Sequence, residues 1–132
     1  VVAETYTIAQ LSQEFGITPR AIRFYEDKNL LSPTRQGMNR IYSRRDRARL
    51  ALILRGKRLG FRLDDIKEML DLYDHGDGQI EQMQFTLERS RERIAELERQ
   101  RQDVDDAIRE LKDIVKMIER ELAARRAAEK AA

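Results

Sequence analysis

Apolar positions follow two rhythms along this chain. Up to residue 74 they come in short bursts at helical spacing, broken by glycine, proline and turn residues. From Ile80 onwards they settle into one heptad. With a at Ile80 and d at Met83, the seam reads Ile80, Met83, Leu87, Ser90, Ile94, Leu97, Arg101, Val104, Ile108, Leu111, Val115, Ile118 and Leu122. Eleven of these thirteen are apolar, and no Pro or Gly interrupts them. Such a repeat predicts a coiled-coil helix over 80–123, a rod of roughly 65 Å at about 1.5 Å per residue. A small N-terminal domain cannot hide so long a seam, so a partner helix is expected, most simply from a second copy. Residues 124–132 read as a fraying helix end.

The e positions bear on orientation. They are Arg91, Glu98, Asp105, Lys112 and Glu119. Antiparallel pairing about Asp105 sets Arg91 against Glu119 and Glu98 against Lys112, with Asp105 facing itself as the one repulsion. Parallel pairing offers mainly Arg93 with Glu98. Surface pairs contribute a few tenths of a kcal/mol each, so the charges lean towards antiparallel.

The first rhythm begins with Thr7 and Gln10, a capping box that opens a helix from about Ile8 to Phe15 with Ile8, Leu11 and Phe15 on one face. Gly16 can take the left-handed conformation that ends it, and Ile17 follows as a core contact. Thr18 is a ready N-cap and Pro19 suits the first helical position of the next helix, TPRAIRFYE. There Ile22 and Tyr25 share a face that can be buried, while Arg20 and Arg23 point together to the other side. Helix, glycine turn, helix is the helix-turn-helix pattern, with the second helix as reader. Arginine is the usual bidentate partner of guanine and pairs as readily with phosphate. The plainer alternative is a helical hairpin with its arginines in water.

Residues 27–43 hold Pro33 and Gly37, with runs of β-formers at Leu30–Leu31 and Arg40–Tyr42, and read as a two-stranded hairpin with its tip near Gln36–Gly37. Arg35 and Arg40 flank that tip, and Tyr42 shares a strand face with Arg40. Such a wing can grip the backbone beside the groove that a reader helix occupies. Ser43 and Asp46 then open a third helix to about Leu59, with Leu50, Ile53 and Leu54 on its buried stripe and Leu59 a further candidate. Gly56 inside it costs about 1 kcal/mol relative to Ala, which predicts close packing there. Gly60 closes it, with Phe61 placed for the contact that follows. A fourth helix over 63–73 buries Ile66, Leu70 and Tyr73, and Asp64 and Asp65 suit its dipole. Asp74 to Gly78 (DHGDG) reads as a hinge or cap loop. It lacks the alternating acids and closing Glu of a calcium loop.

Charge changes the picture more than composition does. The 132 residues carry a formal net charge of only +2. Yet Arg20 to Arg62 holds thirteen Lys/Arg against Glu26, Asp27 and Asp46, a net +10, which leaves −8 for the remainder. That asymmetry is a footprint of polyanion binding. There is no cysteine and His75 is the single histidine. Disulfides, thiolate metal sites and His-based triads are thereby excluded. No nucleophile–base pair, phosphate loop or metal set is present, so neither catalysis nor a cofactor is expected. No apolar run approaches the roughly 18 residues of a membrane span. The start does not resemble a signal peptide, and cytoplasmic residence is expected. A coiled-coil scaffold whose basic domain binds acidic protein or RNA is the second reading.

These residues carry a family resemblance. AIRFYE in the reader helix, a wing ending in R-I-Y, a second helix pair containing LGF-x-L-x-x-I and one long final helix resemble the MerR family of bacterial transcription regulators over nearly the whole chain. The resemblance implies a mainly α fold, with a winged helix-turn-helix DNA-binding domain over 1–74, a hinge at 75–79 and a long C-terminal dimerisation helix in an antiparallel coiled coil. It implies a homodimer on a pseudo-palindromic promoter operator in double-stranded DNA. The family bends and untwists over-long spacers so that RNA polymerase can engage both promoter elements. Arg20, Arg23 and Tyr25 match its reader-helix contacts, and Arg35, Asn39, Arg40 and Tyr42 its wing contacts. Thr18 and Arg44 join the DNA-binding candidates, and Arg62, in the turn that matches a second wing, adds a phosphate contact. Many relatives carry Ser or Thr at the position of Arg62, so the fourth helix is expected to lack a cap. Thiolate metal sensing and iron–sulfur redox sensing are excluded for want of cysteine. The chain is expected to end without an effector domain, and its effector is unknown. Arg20 to Asp74 is similar to short cysteine-free members that control leucine, isovalerate or related acyl-CoA catabolism.

Overall fold

Caps written into the sequence open the first three helices and close the first and third. A computed structural model describes residues 4–74 and 78–132. His75 to Asp77 of the expected hinge, and the side chain of Tyr73, lie outside the described residues. In α1 (Ile8–Phe15) the Thr7 hydroxyl accepts from the Gln10 N–H at 3.1 Å, and the Gln10 side-chain oxygen accepts from the Thr7 N–H at 2.8 Å. Gly16 ends the helix at φ 66°. In α2 (Pro19–Asp27) the Thr18 hydroxyl accepts from the Ala21 N–H at 3.1 Å. Its C-terminus closes by a reversal that the sequence reading did not anticipate. Asn29 takes φ 62°, its N–H donates to the Glu26 carbonyl, and the Leu30 N–H donates to the Tyr25 carbonyl at 2.9 Å. That reversal turns Leu30 and Leu31 into the core, 0% and 3% exposed.

The expected first strand at Leu30–Leu31 is therefore corrected: those residues are core-filling loop. The wing is instead β2 (Thr34–Gln36) paired antiparallel with β3 (Asn39–Ser43), with Arg35 opposite Arg40 and Gly37 at the tip with φ 63°. A third strand, β1 (Thr5–Tyr6), pairs with the other edge of β3 and sets Tyr6 opposite Tyr42. The order is β1-β3-β2. Two residues carry no readable alternation, which is why β1 was not foreseen.

Helix α3 (Arg44–Leu59) opens on the Ser43–Asp46 capping box, and α4 (Leu63–Tyr73) packs across it. Arg62 stands at the N-cap of α4 without a side-chain cap bond, as expected. Leu50 and Ile53 of α3, Ile66 and Leu70 of α4, Leu11 of α1 and Ile22 of α2 meet in one core. Leu54 packs against it, but Leu59 is 43% exposed, on the wall of a groove of about 270 Å³ that Leu52, Gly56, Phe61 and Ile66 also line. Its assignment to the buried stripe is corrected: the helix turns it past the core by its last residue.

Two compact units divide at Ser90. The first includes the opening turns of α5 (Gly78–Ala131), where Gln82, Thr86 and Ser90 line the same groove and Arg89 Nε lies 3.4 Å from Asp65. The second, Arg91–Ala132, is helical to Ala131. Residues 124–131 continue the helix where fraying was expected. Alanine, the best helix former, fills half of that stretch.

Candidate nucleic-acid interface

Helix α2 sorts its residues as the spacing requires. Ile22 is fully buried and Tyr25 is 8% exposed, while Arg20 and Arg23 are exposed with no ion pair among the described residues. Phe24 lies on the exposed side too, 47% accessible, with the Lys28 ammonium 5.7 Å from its ring centroid. That ring was not among the candidates, although an aromatic beside Arg23 on the reader face is legible in AIRFYE.

On the wing, Arg35 and Asn39 are exposed, and Met38 at the tip is 94% exposed. Arg35 and Arg40 stand directly opposite across β2 and β3, a like-charge pair that destabilises a sheet unless one charge is answered. Glu26 answers it. Arg40 Nε donates to Glu26 Oε2 at 2.9 Å, and the Tyr42 hydroxyl donates to Glu26 Oε1. Burial pushes the Tyr42 phenol well above its ordinary value of 10.0, and the Glu26 carboxylate adds to the rise. In the sequence Glu26 enters only the charge count, although it falls four residues after Ile22, beside the buried stripe.

Two tyrosines expected among the DNA contacts lie in the core instead. Tyr42 is 0% exposed and Tyr25 nearly so. Tyr42 offers no accessible surface to a base or phosphate, and Tyr25 little. They hold the reader helix and wing in place from beneath. Thr18 is exposed but spends its hydroxyl on the cap of α2. Arg44 is 78% exposed and lies 3.7 Å from Glu4, a surface pair of small worth. Arg62 is exposed and has no ion pair among the described residues.

The +10 stretch thus divides by role. Arg49 is spent on structure: its side chain is 12% exposed, Nε donates to the Leu30 carbonyl at 2.8 Å, and Nη1 reaches Asp74 at 2.5 Å. Arg45 also pairs with Asp74. Arg47 donates to Glu14 at 2.9 Å and lies over the Tyr6 and Phe15 rings; its hydrogen bond holds the Glu14 carboxyl below the usual range. Arg20, Arg23, Arg35 and Arg62, with Arg55, Lys57 and Arg58 of α3, are exposed without an ion pair among the described residues and remain available to an outside anion.

The second unit and the opening of α5 leave their seam uncovered. All eleven apolar heptad positions are exposed in the single chain, from 42% at Leu97 to 66% at Ile80. Ile114, at a g position, widens it at 50%. Among the described residues, no helix is long and apolar enough to cross a membrane.

Two family profiles match the chain. One, described as "MerR HTH family regulatory protein", spans residues 6–72; the other, "MerR, DNA binding", spans 47–114. The chain belongs to the MerR family. Among solved MerR structures, it is 31% identical to HiNmlR, a MerR family regulator lacking the sensor domain and bound to promoter DNA. That match has a TM-score of 0.56 and covers 73% of this chain and 77% of that one. It is likewise 31% identical to MtaN, the N-terminus of the Bacillus subtilis multidrug transporter activator, at a TM-score of 0.54, covering 78% and 97%. The transcriptional regulator CueR of Salmonella typhi is 30% identical over 94 residues, which span 70% of this chain and 66% of that relative.

Proposed function

We propose that this MerR-family chain is a sequence-specific DNA-binding transcription regulator that acts as a homodimer. The observation that carries the reading is the pairing of unneutralised arginines on the reader helix with a basic wing tied to the same helix through Glu26. Arg20 and Arg23 enter the major groove, Arg35, Asn39 and Arg40 grip the flanking backbone, and Arg62 and Arg44 add phosphate contacts. The domain over 1–74 binds DNA, and the helix over 80–123 pairs antiparallel with its copy. Two reader helices then address the half-sites of a pseudo-palindromic operator. The dimer bends and untwists the promoter spacer for RNA polymerase, in the cytoplasm, as the family resemblance implies. On that resemblance alone, the regulated genes belong to branched-chain amino acid or acyl-CoA catabolism.

The test is selection of bound duplexes from fragmented genomic DNA with the purified protein. The expected result is a pseudo-palindrome between over-spaced promoter elements, with binding that falls steeply as salt rises. Equal retention of operator and random duplex would remove the regulator reading.

A further inference from the structure

Glu26 lies in the last turn of the reader helix with its side chain 11% exposed, while the next residue, Asp27, faces solvent. Its two oxygens are divided between two residues of one wing strand. Oε2 accepts from Arg40 Nε at 2.9 Å and Oε1 from the Tyr42 hydroxyl. Arg40 and Tyr42 are two apart on β3, so both reach the helix from the same face. Among the described residues, this is the only polar tie between α2 and the wing. The outer strand reaches the helix only through β3: all three residues of β2 are exposed, and β3 is the strand with which β2 pairs. Arg40 is held at Nε, whereas Nη1 and Nη2 have no partner among the described residues. A guanidinium anchored in this way keeps its outer nitrogens pre-aimed and loses less freedom on meeting a phosphate.

We propose that Glu26 is a positioning residue that makes reader helix and wing a single reading head, fixing the wing's angle and presenting Arg40 to the backbone phosphates beside the groove that Arg20 and Arg23 read. The inference rests on the DNA-binding function proposed above. It runs against simple electrostatics, because an acid at a DNA-facing surface repels phosphate. Removing that acid should raise affinity if charge alone mattered. Under the positioning role, removal loosens the wing and costs specific affinity while sparing non-specific binding.

The experiment measures equilibrium binding of the full chain to its selected operator and to random duplex, with variants Glu26→Ala, Tyr42→Phe, Arg35→Ala and Arg23→Ala and the doubles with Glu26→Ala. Glu26→Ala should bind operator about tenfold more weakly and random duplex no more weakly. The several-fold penalty of Arg35→Ala should vanish in the Glu26→Ala background, while that of Arg23→Ala stays unchanged. Tyr42→Phe removes one of the two ties without removing a charge. It should give a smaller loss in the same direction, and it keeps the question answerable if Glu26→Ala folds poorly. Unchanged or tighter operator binding by both variants would overturn the proposal. So would equal losses on operator and random duplex, or full independence of Glu26 and Arg35. A wild-type chain that prefers no duplex is the failure of the functional reading itself. A selective wild type with indifferent variants is the failure of this inference alone.

Discussion

A Cβ on Gly56 would stand 2.8 Å from Cδ1 of Ile66 and 2.9 Å from its Cγ1, closer than side chains tolerate. The glycine lets α3 and α4 approach until Ile66 packs directly on the α3 backbone. Ile66 is 3% exposed and part of the core, so it has little room to retreat. Gly56→Ala would gain about 1 kcal/mol of helix propensity and pay about 1–3 kcal/mol of overpacking. The expected net is a loss of about 1 kcal/mol, read as a lower urea midpoint at unchanged slope. A raised midpoint would mean that Ile66 rotates away freely and that the close approach constrains nothing.

Arg62 gives a prediction with two opposite signs. It is the N-cap of α4 but makes no side-chain cap bond, at φ −69° and ψ 147°, an extended conformation that a capping serine also adopts. Arg62→Ser should raise stability by about 0.5–1 kcal/mol through the new cap. It should also reduce the salt slope of DNA binding by about one, if the guanidinium meets a phosphate. Thermal unfolding and a salt titration read the two halves separately. A stabilised chain with an unchanged slope would leave Arg62 outside the interface.

Much of this was legible beforehand because caps are local chemistry. Thr7 with Gln10, Thr18 with Pro19, Ser43 with Asp46, and Gly16 and Gly60 each act within a few residues, and each fixed a helix end in the sequence as in the structure. What escaped was long-range. Asp46 was readable as a cap, but its second oxygen also accepts from the Ser32 N–H at 3.3 Å, fourteen residues away. Glu26 likewise reaches across to β3, and the net charge of the basic stretch could not reveal which arginines such acids consume. Leu30–Leu31 looked like strand because apolar pairs suit a strand or a core loop equally well. The left-handed Asn29 before them decided the matter.

Tyr42 makes stability pH-dependent on the alkaline side. Burial and Glu26 raise its folded pKa above the ordinary 10.0 that an unfolded chain would show. A raised folded pKa means that the stabilisation is complete below pH 10 and is lost as pH climbs, because only the unfolded chain then releases the proton. Stability should fall above pH 10 with a slope that approaches about 1.4 kcal/mol per pH unit near pH 11 on account of this one group. Tyr42→Phe should flatten that limb, seen by urea unfolding at pH 9 and at pH 11. An equally steep limb in the variant would assign the effect to other tyrosines, of which Tyr25 is also raised by burial.

Arg23 and the wing predict different losses. Arg23 is exposed on the reader face without an ion pair among the described residues, so Arg23→Ala need not disturb the fold. If it reads a base, operator binding should weaken by about 1–3 kcal/mol, with preference relaxed at that base pair. Competition between operator and single-base variants measures this. Equal weakening on every duplex would make Arg23 a phosphate contact.

The seam of α5 gives the prediction on assembly. Leu97 is 42% exposed in the single chain, so an aspartate there costs a lone helix little beyond its lower propensity. In a coiled coil the same position is a knob in a hole, where an unpaired carboxylate loses its water without gaining a partner. The cost therefore falls on the dimer and hardly on the monomer, and Leu97→Asp should shift sedimentation to monomer at concentrations where the wild type is dimeric. Arg99→Asp, two residues on and off the seam, changes the net charge by more and should still remain dimeric. If Leu97→Asp still sediments as a dimer, the heptad frame is wrong. If Arg99→Asp also dissociates, net charge rather than seam packing governs the assembly.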